Sequence, residues 1–275
     1  HDFVIERASG CSLSRERLKP LLEELFIRIW TGACEDDGFN ELVLTSGMGW
    51  RDITIARAYG KYLRQLGMGY TPEYIAGGMV KNAEISAQLI ALFKARFDPS
   101  FKKKQGAELA ANISADLGNL MEQVSSLDHD RILRAYQNCI EETQRTNAYQ
   151  PGVMEGEHEK ALAFKISSSN VDEAPLPRPY AEIWVYSPQV EGVHLRGGPI
   201  ARGGLRWSDR QEDFRTEVLG LVKAQQVKNA VIVPQGAKGG FFPKQLPPMS
   251  DRAAFMEEGV ASYRSFISSL LSLTD

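Results

Sequence analysis

The chain has 275 residues, 43% of them apolar and 24% charged, with a formal net charge of −3. That is the make-up of a soluble globular protein of one large or two ordinary domains, and it excludes a generic polyanion binder, so any anion site must be local. No apolar run approaches the roughly 18–20 residues a membrane span needs, and Cys11, Cys34 and Cys139 are too few and too widely spaced for a disulfide framework or a zinc site.

The N-terminal His1–Gly10 stretch has neither an initiator Met nor the basic-then-apolar layout of a secretory leader. The missing Met reads as a piece of a longer chain, and the three cysteines read as reduced thiols of a cytoplasmic protein. Residues 1 to about 155 read as a helical domain. After Ser14, the residues Leu18, Leu21, Leu22, Leu25, Phe26 and Ile29 recur at helical spacing, and Gly32 ends the run. A short helix is expected over Phe39–Leu44 and a longer one over Trp50–Leu66. Thr71-Pro72-Glu73 is a strong start signal for a helix reaching Phe97: a capping hydroxyl, a first-turn proline and an acid at the positive end of the dipole. Further helices are expected over about 106–125 and 129–145. The Gly-Met-Gly-aromatic segments at 47–50 and 67–70 read as turns between helices, and Lys102–Lys104 as a solvated link.

The pattern changes near residue 155. Ala161–Ile166 alternates as a strand, Tyr180–Tyr186 is a second, and Val193–Leu195 a third. Ser208-Asp209-Arg210-Gln211 fits a capping box that opens a helix with Phe214, Val218, Leu221 and Val222 on its apolar stripe. Ala230–Val233 reads as a strand buried on both faces, with a Gly-Ala-Lys-Gly-Gly turn at its carboxyl end, where open α/β sheets place ligands. Ser250 is expected to cap a last helix running to Leu271. Residues 156–275 thus read as an α/β domain with a mixed, mostly parallel sheet.

The segment Arg196–Gly240 concentrates the chemistry. It holds two Arg-Gly-Gly triplets, and the fork of Arg202 suits a carboxylate while Gly203 and Gly204 free backbone N–H groups for the same anion. Lys228 either snorkels past the end of its helix or turns its ammonium into a cleft. Lys238 lies among glycines and other cations; it is either an incidental surface lysine or a base whose pKa its surroundings lower. Glycine spacing excludes a phosphate-binding P-loop, and no G-x-G-x-x-G dinucleotide fingerprint occurs. Embedding between a strand and a helix argues against an RNA-binding Arg-Gly-Gly segment.

Arg202-Gly203-Gly204-Leu205-Arg206-Trp207, Lys228, and Pro234-Gln235-Gly236-Ala237-Lys238-Gly239-Gly240 resemble the substrate-domain signature of glutamate dehydrogenases. Val190–Gly198, Trp207–Arg210 and Glu212–Val218 resemble the large-subunit, NAD-specific bacterial branch. The specific match covers about residues 160–275. The resemblance implies that Lys238 activates water for attack on an imine carbon and that Lys228 binds a substrate carboxylate. Arg202 stands where small-subunit enzymes carry a lysine, keeping the charge and changing the geometry. It further implies oxidative deamination of L-glutamate to 2-oxoglutarate and ammonia. NAD would be held by a Rossmann domain C-terminal to this chain, along with the acidic catalytic partner, so the isolated piece is expected to be inactive. The full-length protein is expected to be a homo-oligomer with a small-molecule substrate and neither nucleic-acid nor membrane partners. A dehydrogenase of another amino acid and a non-catalytic, anion-sensing assembly module remain as rival readings.

Overall fold

The computed structural model describes residues 14–154, 160–228 and 235–274. The N-terminal half is helical: α1 (Arg15–Trp30), a short 3-10 segment (Gly38–Glu41), α2 (Leu42–Ser46), α3 (Trp50–Gln65), α4 (Pro72–Lys81), α5 (Ala83–Phe97), α6 (Lys103–Met121) and α7 (Leu127–Glu142). The Thr71 start signal holds, with Thr71 Oγ1 accepting from the Tyr74 N–H at 3.2 Å. The single helix expected to run to Phe97 is instead two. Asn82 breaks it with a non-helical backbone (φ −111°, ψ 53°) and donates its side-chain amide to the Gly78 carbonyl at 2.8 Å, the local competition by which Asn ends helices. The last residues assigned by sequence to α7 form a strand, β1 (Thr143–Thr146).

The chain then adds β2 (Leu162–Ile166), β3 (Ala181–Tyr186), β4 (Val190–Arg196), β5 (Ala201–Trp207), α8 (Phe214–Lys228), β6 (Gln235–Pro243) and α9 (Arg252–Leu271). The six strands make one sheet in the order β1-β2-β3-β4-β6-β5. The expectation of a mixed sheet holds, but it is mostly antiparallel rather than mostly parallel: β5 and β6 are its one parallel pair. Connection length explains this. Three residues join β3 to β4, which only a hairpin allows, whereas β5 reaches β6 through α8.

Three sequence readings are corrected here. Gly236–Gly240, expected to be a turn, lies within strand β6, and Arg202–Trp207, to which the sequence assigns no element, lies within strand β5. The glycines of β6 serve helix packing, because a Cβ on Gly240 would run into Val218 of α8 and one on Gly236 would crowd Gln225 at 2.8 Å. The capping box does not open α8 at Ser208, since Ser208 Oγ is engaged by Glu217 Oε2 at 2.6 Å and by the Arg210 N–H at 3.1 Å. At α9 the cap is Asp251, accepting from the Ala254 N–H at 3.1 Å, and not Ser250. The expected strand Ala230–Val233 lies outside the described residues, as does Cys11; Cys34 and Cys139 are free and buried.

Helix α3 lies between the helical layer and the sheet, and Ile53, Ala56, Tyr59, Tyr62 and Leu63 have no exposed surface. Tyr59 stacks on Phe164 of β2 with centroids 4.4 Å apart, and Trp184 Nε1 of β3 donates to the Ala58 carbonyl at 2.9 Å. One core therefore runs from the helices through this sheet face to α8, and a smaller one lies on the other face beneath α9. A partly buried ionic cluster joins the halves: Arg57 Nε to Asp37 at 2.7 Å, Lys61 to Glu35 at 3.4 Å, and Lys244, just after β6, to Glu191 at 3.0 Å and to Glu35. Burial alone would raise the Glu35 carboxyl, but Lys244, Lys61 and Arg57 outweigh it and bring it down to about 2.

Candidate active site

Strand register decides which cations share a face. β5 pairs with β6 as Arg202 with Gly236, Gly204 with Lys238 and Arg206 with Gly240. Side chains alternate along a strand, so Arg202, Arg206 and Lys238 all project toward α8. Lys238 is half-buried and Arg202 exposed. An added Cβ on Gly204 would stand 3.9 Å from Lys238 Nζ, so the ammonium lies over the bare backbone of β5. Gly203 points to the opposite face, where a Cβ would collide with the Ala237 carbonyl; glycine is required there for the strands to pair.

α8 crosses above β6, with Val218 at Gly240 and Gln225 at Gly236. Gln225 Nε2 also donates to the Arg202 carbonyl at 3.3 Å. The last turn of α8 thus ends at the Arg202 end of the strand pair. Lys228 is the final residue of that turn, and its side chain lies outside the described residues. The structure therefore brings Lys238, Gly204 and Arg202 onto one face and carries the Lys228 backbone toward it. As the sheet's edge, β5 directs alternate backbone N–H groups away from its neighbour, available to an anion. Arg206 is committed elsewhere: its Nε pairs with Glu217 Oε1 at 2.6 Å.

On the same face, two strands further in, lies a group that the sequence reading did not single out. Ile166, Glu182, Leu195, Lys238 and Gly204 form one row across β2, β3, β4, β6 and β5. Glu182 and Arg215 are fully buried and paired, Nη2 to Oε2 at 2.7 Å and Nε to Oε2 at 3.2 Å, and the Tyr62 hydroxyl donates to the same carboxylate. Burial first, and then the Glu182 charge, push the Tyr62 phenol well above its ordinary value. The Arg215 N–H donates to Gln65 Oε1 at 3.0 Å, and Gln65 Nε2 to the Gln211 carbonyl at 2.8 Å. Helix α3 thereby pins the start of α8, and so the position of α8 over Lys238. The available signal was Glu182, a charge sharing its strand face with Trp184 and Tyr186.

A cavity of about 910 Å³ lies between α1 and the β3–β4 turn, lined in part by Ile27, Trp50, Tyr186 and Gln189. None of its lining residues belongs to β5, α8 or β6, so it is separate from the cationic face. Among the described residues no group of three His, Cys, Asp or Glu could hold a metal ion, and no helix is long and apolar enough to cross a membrane.

Comparison with known proteins shows what the chain is similar to. Residues 116–275 match the family model for the bacterial NAD-glutamate dehydrogenase catalytic domain, and residues 34–99 match glutamate dehydrogenase helical motif 3. The chain is 47% identical over 275 residues to an NAD-specific glutamate dehydrogenase of Halomonas elongata and 49% identical over 283 to that of Pseudomonas aeruginosa. Each alignment covers all of this chain and 17% of the relative. The Mycobacterium tuberculosis protein of the same name is 49% identical over 261 residues, 92% of this chain and 16% of its own.

Proposed function

The chain belongs to the bacterial NAD-glutamate dehydrogenase family, and from that premise we propose that β5, α8 and β6 form the dicarboxylate-binding wall of an enzyme that deaminates L-glutamate oxidatively to 2-oxoglutarate and ammonia. The observation that carries this reading is Lys238 Nζ over the backbone of Gly204, with Arg202 on the same face of an exposed edge strand. Glutamate presents two carboxylates and needs two cationic anchors. Arg202 supplies a planar fork for one and Lys228 a point charge for the other. Gly204 lets the substrate approach the strand backbone closely on the Lys238 face, whereas Gly203, expected from sequence to line the same site, faces away and serves strand pairing. Lys238 takes a proton from the water that attacks the imine carbon of the oxidised substrate, and so promotes loss of ammonia.

NAD accepts the hydride in proteins of this name, but the residues described here do not fit a dinucleotide. The β5–α8–β6 unit has the right order of elements; its first turn, Ser208–Asp213, contains no glycine and is filled by the Arg210–Asp213 pair. NAD is therefore assigned to a part of the full-length protein outside this chain, and the isolated chain is expected not to turn over. A cytoplasmic homo-oligomer acting on a small molecule belongs to the same reading.

The test is an assay of the full-length protein for amino-acid-dependent NADH formation, with ammonia and 2-oxoacid measured in parallel. Glutamate should give equal amounts of all three and aspartate or leucine far less. Preference for a monocarboxylic amino acid, or 2-oxoglutarate binding without any redox activity, would overturn the assignment.

A further inference from the structure

Helix α9 buries one side, with Phe266 and Leu270 in the core beneath it, and leaves a second apolar side uncovered. Ser262 and Ser269 are fully buried against the sheet, while Met256, Val260, Tyr263 and Leu271 are 49%, 42%, 43% and 64% exposed. With half-buried Ile267 these residues fall at i, i+4, i+7, i+11 and i+15, a continuous apolar stripe of helical period. Such a stripe is the signature of a second packing partner.

The fold shows which surface adjoins the stripe. α9 runs across the strands: Phe255 stacks on Trp207 of β5 at 5.7 Å, Phe266 on Phe241 of β6 at 5.7 Å, and Ser272 accepts from Asn147, just past β1, at 3.1 Å. One flank faces the β3–β4 turn, where Glu258 accepts from Gln189 at 2.9 Å. The apolar stripe is on the other flank. It overhangs the row Lys165, Ile183, His194, Gly239 and Leu205, with Arg196 one row further on; register places all of these on the α9 side of the sheet. Leu205 is 39% exposed, and Lys165, His194 and Arg196 are half-buried.

We propose that this trough, with the α9 stripe as its wall and the Lys165–His194–Arg196 surface as its floor, docks an acidic amphipathic helix from the same polypeptide, lying outside residues 1–275 and packing beside α9. Two observations select that occupant. The chain spans only 17% of the length of its relatives, so most of the polypeptide is elsewhere. The floor carries Lys165 and Arg196, with Arg145 beside Lys165 in the strand register, and burial first, then the neighbouring arginine charge, pushes the Lys165 ammonium and the His194 imidazole down. A carboxylate-bearing helix relieves that crowding as it covers the stripe. Five strands at about 4.8 Å spacing give a trough of about 19 Å, the length of roughly 13 helical residues at 1.5 Å each. The site is on the sheet face opposite Lys238, so the inference does not depend on the dehydrogenase reading.

The experiment uses the full-length protein with the photo-cross-linker p-benzoylphenylalanine at Val260 or at Leu271, and at Lys104, whose side chain is 91% exposed, as control. Light and ¹⁵N-labelled protein are co-assembled before irradiation. Positions 260 and 271 should each cross-link to an acidic peptide from outside residues 1–275 carrying the same isotope label. The double variant K165E/R196E should cut that yield about fivefold, because like charges now meet across the contact. Mixed-label cross-links would identify a second copy as the occupant, and capture of a separate protein would identify a foreign one. Either result, or yields no higher than at Lys104, would overturn the proposal.

Discussion

The seam between the helices and the sheet differs sharply from the rim formed by β5 and the end of α8. At the seam, Tyr62, Glu182 and Arg215 are fully buried and bonded to one another, and Arg57, Asp37, Lys244, Glu191 and Glu35 form a second, partly buried cluster nearby. At the rim, Arg202 is exposed, Gly203 and Gly204 carry no side chains, and Lys238 extends over bare backbone. Breaking a buried pair leaves a charge without water, whereas an exposed cation remains solvated. The two regions should therefore respond to mutation in opposite ways: the seam in stability, the rim in chemistry.

The largest effect expected belongs to the rim. Lys238→Ala in the full-length enzyme should lower kcat about 10²–10⁴-fold, the range for loss of a general base, with an unchanged unfolding midpoint. A near-normal rate would remove Lys238 from the mechanism. At the seam, Glu182→Ala strands Arg215 and should cost about 3–5 kcal/mol in denaturant unfolding; Glu182→Ala with Arg215→Met should recover most of it. If the single variant is as stable as the parent, the seam does not organise the fold.

Acid should find the seam next. Glu35 is depressed from 4.5 to about 2, so its contribution is full above pH 4.5 and is lost as pH falls toward 2, up to about 3 kcal/mol. Glu35→Gln should flatten the stability profile across that window, and a profile unchanged by the substitution would assign acid sensitivity elsewhere. Gly204→Val places methyl groups beside Lys238 Nζ and should raise the glutamate KM about tenfold, about 1.4 kcal/mol, with little change in stability. The smallest effect should come from the exposed Arg134–Asp130 pair: Asp130→Asn should alter stability by less than about 0.5 kcal/mol.

Legibility in the sequence followed the range of the forces involved. Local rules were readable: Thr71-Pro72 starts α4, and the alternation of Leu162, Phe164 and Ile166 is a buried strand face. Partner-dependent features were misread. Gly236–Gly240 carries turn residues, yet it pairs with β4 and β5 as a strand, and two of its glycines, Gly236 and Gly240, are where Gln225 and Val218 of α8 approach closely. Ser208 carries a cap signature but is claimed by Glu217. Tyr62, Gln65, Glu182 and Arg215 come together only in three dimensions, Tyr62 and Glu182 being 120 positions apart in the sequence. Of the site, the types and order of Arg202, Lys228 and Lys238 were readable, but the shared face of Arg202 and Lys238 was not, since it depends on parallel pairing across α8.

The central claim is that the α8-facing side of β5 and β6 holds the substrate, and an experimental structure of the full-length protein with 2-oxoglutarate tests it most directly. The expected result is ligand along β5 over Gly204, with one carboxylate on Arg202 and Lys238 Nζ within hydrogen-bonding distance of the ligand. Ligand bound on the α9 side of the sheet, in the cavity beside α1, or beyond reach of both Arg202 and Lys238 would contradict it.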